Sequence, residues 1–405
     1  MWIERDFSGF LKNLPPFSSL PVKVLKGPRQ VGKTSLLDHQ GGYRLVLFDD
    51  LKVRTLAQEN PSLFFDQFRG PLILDEATLA PATFPELKKI VDEQRRKNRN
   101  EQLPITADYW ITGSNQTLLQ ASVRESLAGR ASYFLLNTLS IHELNRFNPE
   151  LTALRTLIMK GGWPELYVTP QLSPVQYLND FIVTFIEKDI VGAAGIEKKS
   201  AFSRLLSLVS GRTAQLLNYS DLARNLNVDL TTVQSWIALL EQNGIVRVVP
   251  PYFSNLNQRL IKSPKIYFED VALNVRLQGW SEFDPLFLSP YLGGLIETLA
   301  LGEVTRFFSN RGMSPEVYFL RSKEKVEVDF LIQLPNRRMV AAEVKTTAVD
   351  FTPAQIKLLN SLELEGLERW ILTPQSGPDF RYAKTVALGE IYENLERLVA
   401  PPLTI

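Results

Sequence analysis

One short segment constrains the fold of this chain more than any other, because it matches the full pattern G-x-x-x-x-G-K-T. It reads Gly27, Pro28, Arg29, Gln30, Val31, Gly32, Lys33 and Thr34, and Ser35 follows it. The glycines let the backbone curl so that its N–H groups face phosphate oxygens, the lysine ammonium reaches the β- and γ-phosphates, and the threonine hydroxyl is a ligand for Mg²⁺. Residues 22–25 predict a preceding strand, and residues 34–38 predict a following helix whose N-terminus attracts anions. The sequence therefore predicts a nucleotide-binding loop at residues 27–35.

A second motif supplies the two carboxylates that this loop lacks. Residues 72–74 form an apolar run typical of a buried strand, and Asp75 and Glu76 follow it directly. At the end of a strand, Asp75 can reach the Mg²⁺ shell with Thr34, and Glu76 can act as a general base on an attacking water. Acidic turns after strands are common, but this one comes about 40 residues after a complete phosphate loop. The two motifs predict binding and hydrolysis of ATP with Mg²⁺, with Lys33 and Glu76 as catalytic residues.

Composition excludes several other classes of protein. The chain has 405 residues, no cysteine, two histidines and a formal net charge of +1. It therefore has no disulfide framework and no basis for a zinc site built from thiolates or histidines. No apolar run approaches the roughly 20 residues of a membrane-spanning helix, and the N-terminus resembles neither a signal peptide nor a transit peptide. We expect a cytoplasmic protein without a membrane partner, in which any nucleic-acid binding depends on local patches.

Three regions differ in the pattern of their apolar residues. Residues 1–150 alternate strand-like runs with helical patterns, which predicts a parallel α/β sheet; residues 151–255 are mainly helical, and residues 256–405 are mixed. The candidate strands of the first region are Pro21–Leu25, Tyr43–Phe48, Pro71–Leu74, Asp108–Ile111 and Ser132–Leu136. The third region predicts, in order, a helix, three strands, a helix and a strand: Pro290–Phe308, Val317–Leu320, Val326–Gln333, Met339–Val344, Pro353–Leu362 and Arg369–Leu372.

The chain resembles a large archaeal and bacterial family of AAA+ P-loop ATPases that carry a C-terminal domain of unknown function. The matching segments occur in the family's order over most of the chain: Gly27–Thr34, Leu74–Glu76, Ile111–Ser114, Glu125–Arg130, Thr138–Leu144, Gly161–Glu165 and Lys265–Asp270. The resemblance implies an AAA+ domain over residues 1–150, a helical lid with a winged helix over residues 151–255, and a restriction-endonuclease-like α/β domain over residues 256–405. No second-sensor arginine is evident, which leaves the part of the lid in hydrolysis open.

The resemblance also assigns roles to polar residues near the fourth and fifth strands. AAA+ enzymes carry a first sensor, which orients water between the two acids, where Ser114 and Asn115 stand. The alternative is that these residues cap the helix that follows. Arg130 stands where AAA+ proteins carry an arginine finger that acts on the nucleotide of a neighbouring subunit, and the alternative is compensation of a helix dipole. A finger that acts in trans implies a homo-oligomer. The sequence does not determine the size of that oligomer, nor whether Arg130 acts in cis or in trans.

The middle region has the pattern of a helix-turn-helix. Residues 220–226 predict a short helix, a turn follows near Asn227, and Thr231–Gln242 predicts a second helix before the apolar run Ile245–Val249. This order is typical of a winged helix, whose second helix contacts DNA bases. The second helix carries no lysine or arginine, although phosphate contacts supply much of the affinity for DNA. DNA binding and a lid or protein-docking role are therefore equal alternatives.

Charged residues in the third region have the spacing of a metal-dependent nuclease. Asp329 is followed by Glu343 and Lys345 on the next predicted strand, and Glu297 lies on the preceding helix. Residues two apart in a strand share a face, two carboxylates can hold a divalent ion, and a lysine can orient a water. Restriction-endonuclease-like folds carry their first acid where Glu297 stands. The alternative is a charged surface hairpin.

Three functions follow from these patterns. The leading one is ATP hydrolysis that drives a conformational change, with DNA bound through the winged helix and the C-terminal domain as one kind of coupling. The second is a metal-dependent DNA nuclease gated by ATP. The third is a slow ATP-dependent switch that acts through protein partners. The sequence names neither the pathway nor the target.

Overall fold

The N-terminal region forms a parallel five-stranded sheet. The computed structural model describes residues 1–14, 20–252 and 263–399. The strands of this sheet are β1 (Val22–Lys26), β2 (Arg44–Leu47), β3 (Leu72–Asp75), β4 (Tyr109–Ile111) and β5 (Ala131–Leu135). They lie in the order β2-β3-β4-β1-β5, and all neighbours are parallel. The predicted parallel α/β fold of this region is confirmed, with strand ends shifted by at most one residue.

Both faces of this sheet are covered, which explains why the inner strands β1, β3 and β4 are almost entirely buried. Successive residues of a strand point to opposite faces; in β3, Leu72 and Leu74 pack into one apolar core and Ile73 into another. The surrounding helices are α1 (Phe7–Lys12), α2 (Lys33–Gln40), α3 (Leu51–Glu59), α4 (Pro61–Gln67), α5 (Thr83–Glu101), α6 (Gln116–Leu127) and α7 (Ile141–Phe147), with a 3₁₀ turn at Ala77–Leu79. The helices and the sheet thus form a layered α/β unit.

The strand order brings three chain segments to one edge of the sheet. Strand β4 lies between β1 and β3, so the segments that follow these strands meet at their carboxyl ends, where α/β sheets bind ligands. They are the phosphate loop after β1, the acidic pair at the end of β3, and residues 112–115 after β4. Motifs that are distant in the chain therefore share one site.

The middle region is mainly helical, and two of its strands join one strand of the third region in a small antiparallel sheet. Its helices are α8 (Leu154–Lys160), α9 (Glu165–Val168), α10 (Pro174–Phe181), α11 (Val191–Ala193), α12 (Lys199–Ser210), α13 (Tyr219–Leu226) and α14 (Leu230–Gln242), with a 3₁₀ turn at Pro149–Thr152 and a π-helix at Ile182–Ile190. Strands β6 (Gln215–Leu216), β7 (Val246–Val249) and β8 (Lys265–Phe268) lie in the order β6-β8-β7. Helices α13 and α14 followed by β7 have the order expected of a winged helix, and that assignment stays a prediction.

The C-terminal region has a mixed five-stranded sheet with helices around it. Its elements are α15 (Val271–Leu277), α16 (Phe283–Phe287), α17 (Leu292–Ser309), β9 (Glu316–Arg321), β10 (Glu327–Gln333), β11 (Met339–Val344), α18 (Pro353–Asn360), β12 (Glu368–Thr373), β13 (Lys384–Ala387), a 3₁₀ turn at Leu388–Glu390 and α19 (Ile391–Val399). In the order β13-β12-β11-β10-β9, the pairs β9–β10 and β10–β11 are antiparallel and the other two are parallel. Every element predicted for this region is present. Strands β8 and β13 and helices α15, α16 and α19 were not predicted, and the endonuclease-like assignment stays a prediction.

One apolar core extends through all three predicted regions. Phe7, Phe202 and Phe330, one from each region, are buried in the same cluster of side chains. The predicted boundary at residues 255 and 256 lies outside the described residues, but Pro251 bridges to Phe319 of β9 just before it. Across residues 1–14, 20–252 and 263–399, no helix has both the length and the apolar character needed to cross a membrane.

Candidate nucleotide site

The phosphate loop requires glycine where it passes the neighbouring strand. Gly27 has φ +142, and a Cβ atom there would lie 2.0 Å from the carbonyl oxygen of Leu136. Gly32 has φ +87 and directly precedes α2, so a side chain is disfavoured at that position as well. Any side chain at residue 27 would displace the loop from β5. The two glycines of the motif therefore set the curl that aims backbone N–H groups at a phosphate.

Lys33 lies within the curl of its own loop. Its ammonium donates hydrogen bonds to the carbonyl oxygens of Gly27, at 2.9 Å, and Pro28, at 2.8 Å. Burial lowers the pKa of Lys33 to about 8, although the negative charges of Glu76 and Asp75 oppose this shift. A phosphate group is a far stronger partner for an ammonium than two carbonyls. Lys33 is therefore positioned to bind the phosphate group that the motif predicts.

Asp75 connects the loop to the end of the third strand. One of its carboxylate oxygens accepts hydrogen bonds from the hydroxyls of Thr34, at 2.6 Å, and Thr112. Within the described residues, no group of three or more His, Cys, Asp or Glu side chains is arranged to hold a metal ion. Mg²⁺ at phosphate sites needs only one or two protein oxygens, since phosphates and waters complete its octahedron. The adjacent Thr34 hydroxyl and Asp75 carboxylate fit that requirement.

Glu76 is held in an unusual backbone conformation and points toward the end of β4. Its φ is +51, in the left-handed region that non-glycine residues seldom adopt. Its carboxylate accepts two hydrogen bonds from Ser114, from the backbone N–H at 2.9 Å and from the hydroxyl at 3.0 Å. The backbone N–H of Ala77 donates to the Thr112 carbonyl oxygen. Contacts with β4 therefore hold the turn that presents the carboxylate.

The two residues predicted as alternative sensors make different contacts. Ser114 binds the Glu76 carboxylate, whereas the side chain of Asn115 accepts a hydrogen bond from the backbone N–H of Leu118, at 2.9 Å, and caps α6. The geometry thus favours Ser114 as the residue that acts on Glu76.

Sequence reasoning missed Thr112 and also Gln116, whose amide donates to the Gly27 carbonyl oxygen at 3.1 Å. The signal available in the sequence was a polar residue directly after an apolar strand for Thr112, whereas Gln116 begins α6 and gave no such signal.

Arg130 forms a two-pronged ion pair inside its own chain. Its Nε and Nη2 atoms lie 2.7 and 2.8 Å from the two carboxylate oxygens of Asp92. It lies between α6 and β5, as predicted, and its side chain is partly exposed. The pair fixes the direction of the guanidinium. Neither action in cis nor action in trans is tested by these contacts.

A pocket of about 450 Å³ opens beside the phosphate loop, and sequence reasoning did not predict it. The N-terminal segment, the loop and the first middle helices form its walls, which include Trp2, Ile3, Gln30, Gly32, Val168 and Tyr177. Arg5 ties this N-terminal segment to the loop, since it donates to the Val31 carbonyl oxygen at 2.9 Å and pairs with the buried Glu143 at 3.0 Å. An apolar and aromatic wall next to a phosphate loop has the character of a small-molecule pocket.

The four residues predicted as a nuclease site converge in the C-terminal region. The backbone N–H of Val344 donates to the Asp329 carboxylate at 2.9 Å, and Lys345 donates to the Glu343 carboxylate at 2.7 Å. Burial raises the pKa of Glu343 to about 7, and the nearby charge of Asp329 adds to the shift. Glu297 joins the group through a lysine, Lys265, which sequence reasoning did not place in the site. The salt bridges of Lys265 to Glu297, Glu327 and Asp329 measure 2.9, 2.6 and 3.7 Å.

Three segments of the chain match known domain families. Residues 19–145 match the AAA domain family, residues 151–284 match a domain of unknown function (DUF8612), and residues 292–376 match another domain of unknown function (DUF4143). Two uncharacterized proteins, from Mycobacterium bovis and Mycobacterium tuberculosis, are each 27% identical to this chain over 331 residues. The alignments cover 81% of this chain and 71% of each relative.

Two solved structures are also similar in part. The Walker-type ATPase of Pyrococcus abyssi aligns with a TM-score of 0.40 and 16% identity, over 68% of this chain and 96% of that chain. The ORC2 protein of Aeropyrum pernix in its ADP form aligns with a TM-score of 0.27 and 12% identity, over 60% of this chain and 85% of that chain. The family match at residues 19–145 includes the phosphate loop and its acidic pair, so this part of the chain is similar to the AAA domain family.

Proposed function

We propose that the chain is a Mg²⁺-dependent ATPase whose turnover drives a conformational change. One observation carries this proposal: the phosphate loop, Asp75 and a Glu76 held by Ser114 lie on neighbouring strand ends. A loop for phosphates, oxygen ligands for a divalent ion and a base for water are the parts that phosphoryl transfer to water needs. The direct test is ATP turnover by the full chain and by variants of Lys33 and Glu76.

Each residue has a defined role in this proposal. The backbone N–H groups of the loop and the Lys33 ammonium bind the phosphates, and Lys33 exchanges the carbonyl oxygens of Gly27 and Pro28 for them. Mg²⁺, when bound by Thr34 and Asp75, neutralises charge that develops on the phosphates. Glu76 accepts the proton of the attacking water, and the two hydrogen bonds from Ser114 orient its carboxylate. Glu76 and Ser114 together thereby fix the direction from which the water attacks.

The pocket beside the loop is proposed to hold the base and ribose of the nucleotide. Its volume, about 450 Å³, lies in the range of small-molecule sites, and the ring of Tyr177 and the aliphatic chain of Val168 offer apolar contacts to a purine. Its position beside Gly32 is adjacent to the phosphates. The N-terminal segment that carries Trp2 and Arg5 would then order around the nucleotide.

A route for the conformational change starts at Arg5. Its guanidinium contacts the loop at Val31 and the carbonyl oxygen of Asn137, at 2.7 Å. The Asn137 amide donates in turn to the hydroxyl of Ser309, at 3.1 Å, at the C-terminal end of α17. A shift of the loop upon nucleotide binding can therefore reach the helix that carries Glu297 through buried polar contacts.

Arg130 is proposed to act in trans, in a homo-oligomer. Its partly exposed guanidinium is held at a defined angle by Asp92, as a finger directed at the nucleotide of a neighbouring subunit requires.

The rival functions remain a DNA nuclease gated by ATP and a slow switch. The convergence of Asp329, Glu343 and Lys345 supports the nuclease, and DNA contact through α14 is part of that proposal. Cytoplasmic location is part of the same proposal.

A further inference from the structure

A buried lysine lies at the centre of the C-terminal acidic cluster. The Lys265 ammonium lies 2.9 Å from Glu297, 2.6 Å from Glu327 and 3.7 Å from Asp329. Only 1% of its side chain is exposed. The carboxylates come from α17 and β10, so the lysine contacts acids from two elements at once. The ammonium is therefore the cation that these three carboxylates share.

Lys265 is fixed in this place by its backbone and by its surroundings. It belongs to β8, where it pairs with Leu216 of β6 on one side and with Val249 of β7 on the other. Its ammonium lies 5.5 Å from the centre of the Phe319 ring, close enough for a cation–π contact. Tyr267, two residues along the same strand, donates its hydroxyl to Glu297 at 2.5 Å. One strand thus supplies two donors to the cluster.

The charges around Lys265 are nearly balanced without a metal ion. Lys345 pairs with Glu343 at 2.7 Å, and Arg321 pairs with Glu327 at 2.6 Å. The carboxylates are Glu297, Glu327, Asp329 and Glu343, and the cations are Lys265, Lys345 and Arg321. A divalent ion beside the ammonium would meet strong repulsion in a site of low dielectric. At the centre of these carboxylates, the Lys265 ammonium and a divalent ion would therefore compete for the same position.

We infer that Lys265 is a built-in cation that closes the acidic cluster to divalent ions and fastens strand β8 to the C-terminal sheet. The cluster opens to a metal only when β8 moves or when Lys265 is replaced. This inference is independent of the nucleotide site, since none of its residues contacts the phosphate loop. A chain can therefore have the residues of a nuclease site in the right places without nuclease activity, because converging acids do not bind a metal ion when a lysine lies between them.

The test is Mn²⁺ binding to the full chain without nucleotide, measured by electron paramagnetic resonance. The background carries Asp75→Asn, so that the nucleotide site does not contribute. We expect no Mn²⁺ bound at the cluster of this parent chain and one Mn²⁺ bound after Lys265→Met, which removes the charge and keeps the volume. Adding Glu297→Gln to Lys265→Met abolishes that binding. The matched control Lys265→Arg keeps the cation and gains no Mn²⁺.

Two results would overturn the inference. The first is Mn²⁺ bound to the parent chain and lost on Glu297→Gln, since the cluster would then hold a metal with Lys265 in place. The second is a folded Lys265→Met variant that binds no Mn²⁺. If Lys265→Met does not fold, Lys265→Gln, which also removes the charge, takes its place, and a folded Lys265→Gln variant that binds no Mn²⁺ overturns the inference in the same way.

Discussion

The hydroxyl and the backbone N–H of Ser114 both donate to one carboxylate oxygen of Glu76, at 3.0 and 2.9 Å. The contact joins the ends of two neighbouring strands, β4 and β3. A carboxylate that accepts two hydrogen bonds at one oxygen has a fixed direction, and its second oxygen remains the natural acceptor for a water. The relationship therefore connects the sheet topology to the proposed chemistry.

Replacing Ser114 by alanine should lower ATP turnover while leaving ATP binding intact. The variant removes a hydrogen bond to a charged group, worth about 1.5–3 kcal/mol, which corresponds to a loss on the order of 10- to 100-fold. Asn115→Ala is the matched control. It removes a helix cap and costs about 1 kcal/mol of stability, with turnover at permissive temperature unchanged. Equal turnover in both variants would show that Ser114 has no role beyond structure.

Replacing Arg130 by alanine should retain ATP binding and lose turnover by about 10³-fold or more, if its guanidinium acts on a neighbouring nucleotide. Asp92→Ala breaks the ion pair that directs the guanidinium but keeps the arginine, so turnover should fall, and by less than in Arg130→Ala. Mixing Arg130→Ala with Lys33→Ala subunits should restore part of the activity, because intact residues then meet at one interface. Turnover per subunit that does not change with protein concentration, without association in ATP, contradicts action in trans.

Stability should depend on His142 near neutral pH. Burial alone would lower the pKa of His142, but its hydrogen bond to Asp6 at 2.9 Å and the charge of that carboxylate outweigh burial, and the pKa is raised. The folded protein then holds the proton more tightly than the unfolded chain. The stabilisation is fully present below the unfolded pKa of about 6.5 and is lost as the pH rises through the folded value.

The measurement is the midpoint of urea unfolding between pH 5 and 9 for the wild type and His142→Gln. The difference between them should be largest at the acid end of this range and should shrink as the pH rises. The His142 ring also stacks on Tyr392 at 3.9 Å, and this packing gives a difference that does not depend on pH. A gap that stays constant across the range would show that the charge of His142 contributes nothing.

Asp270 should be a major determinant of stability. Its buried carboxylate accepts hydrogen bonds from Thr138, Gly162 and Trp163 and lies 3.8 Å from the guanidinium of Arg306. Asp270→Ala leaves a buried arginine without this partner and should cost about 3–5 kcal/mol. Asp284→Ala removes an exposed partner of an arginine and should cost below about 1 kcal/mol. Chemical denaturation of both variants gives their free energies of unfolding and distinguishes the buried Asp270 from the exposed Asp284.

Local motifs predicted residues that the structure brings together at the candidate nucleotide site, because each motif consists of residues close in sequence. The loop from Gly27 to Thr34 has a fixed spacing, and residues 72–74 of β3, which precede the acidic pair, are apolar on both faces. The direction of Glu76 was not predictable in the same way. Its positive φ and its contact with Ser114 depend on β4 being inserted beside β3, which only the folded sheet shows.

Contacts between distant segments account for what the sequence did not show. Lys265 lies more than 30 positions before Glu297 along the chain, and no pattern indicates that its side chain is directed into the cluster. Trp2 and Tyr177 form one pocket only because the N-terminal segment folds back beside helices α9 and α10. Ser114 and Asn115 are adjacent in sequence, but their side chains point in different directions, and only that of Ser114 contacts Glu76 while that of Asn115 caps α6.

The central claim is that Glu76 activates water for attack on ATP held by the phosphate loop, and the most direct measurement compares ATP binding and ATP turnover in Glu76→Gln and the wild type. The amide keeps the shape of the carboxylate but cannot accept a proton. We predict Mg-ATP binding close to that of the wild type by calorimetry, with turnover reduced on the order of 10²-fold or more. Lys33→Ala serves as the control that loses binding. Undiminished turnover in Glu76→Gln, or loss of binding equal to that in Lys33→Ala, would contradict the account.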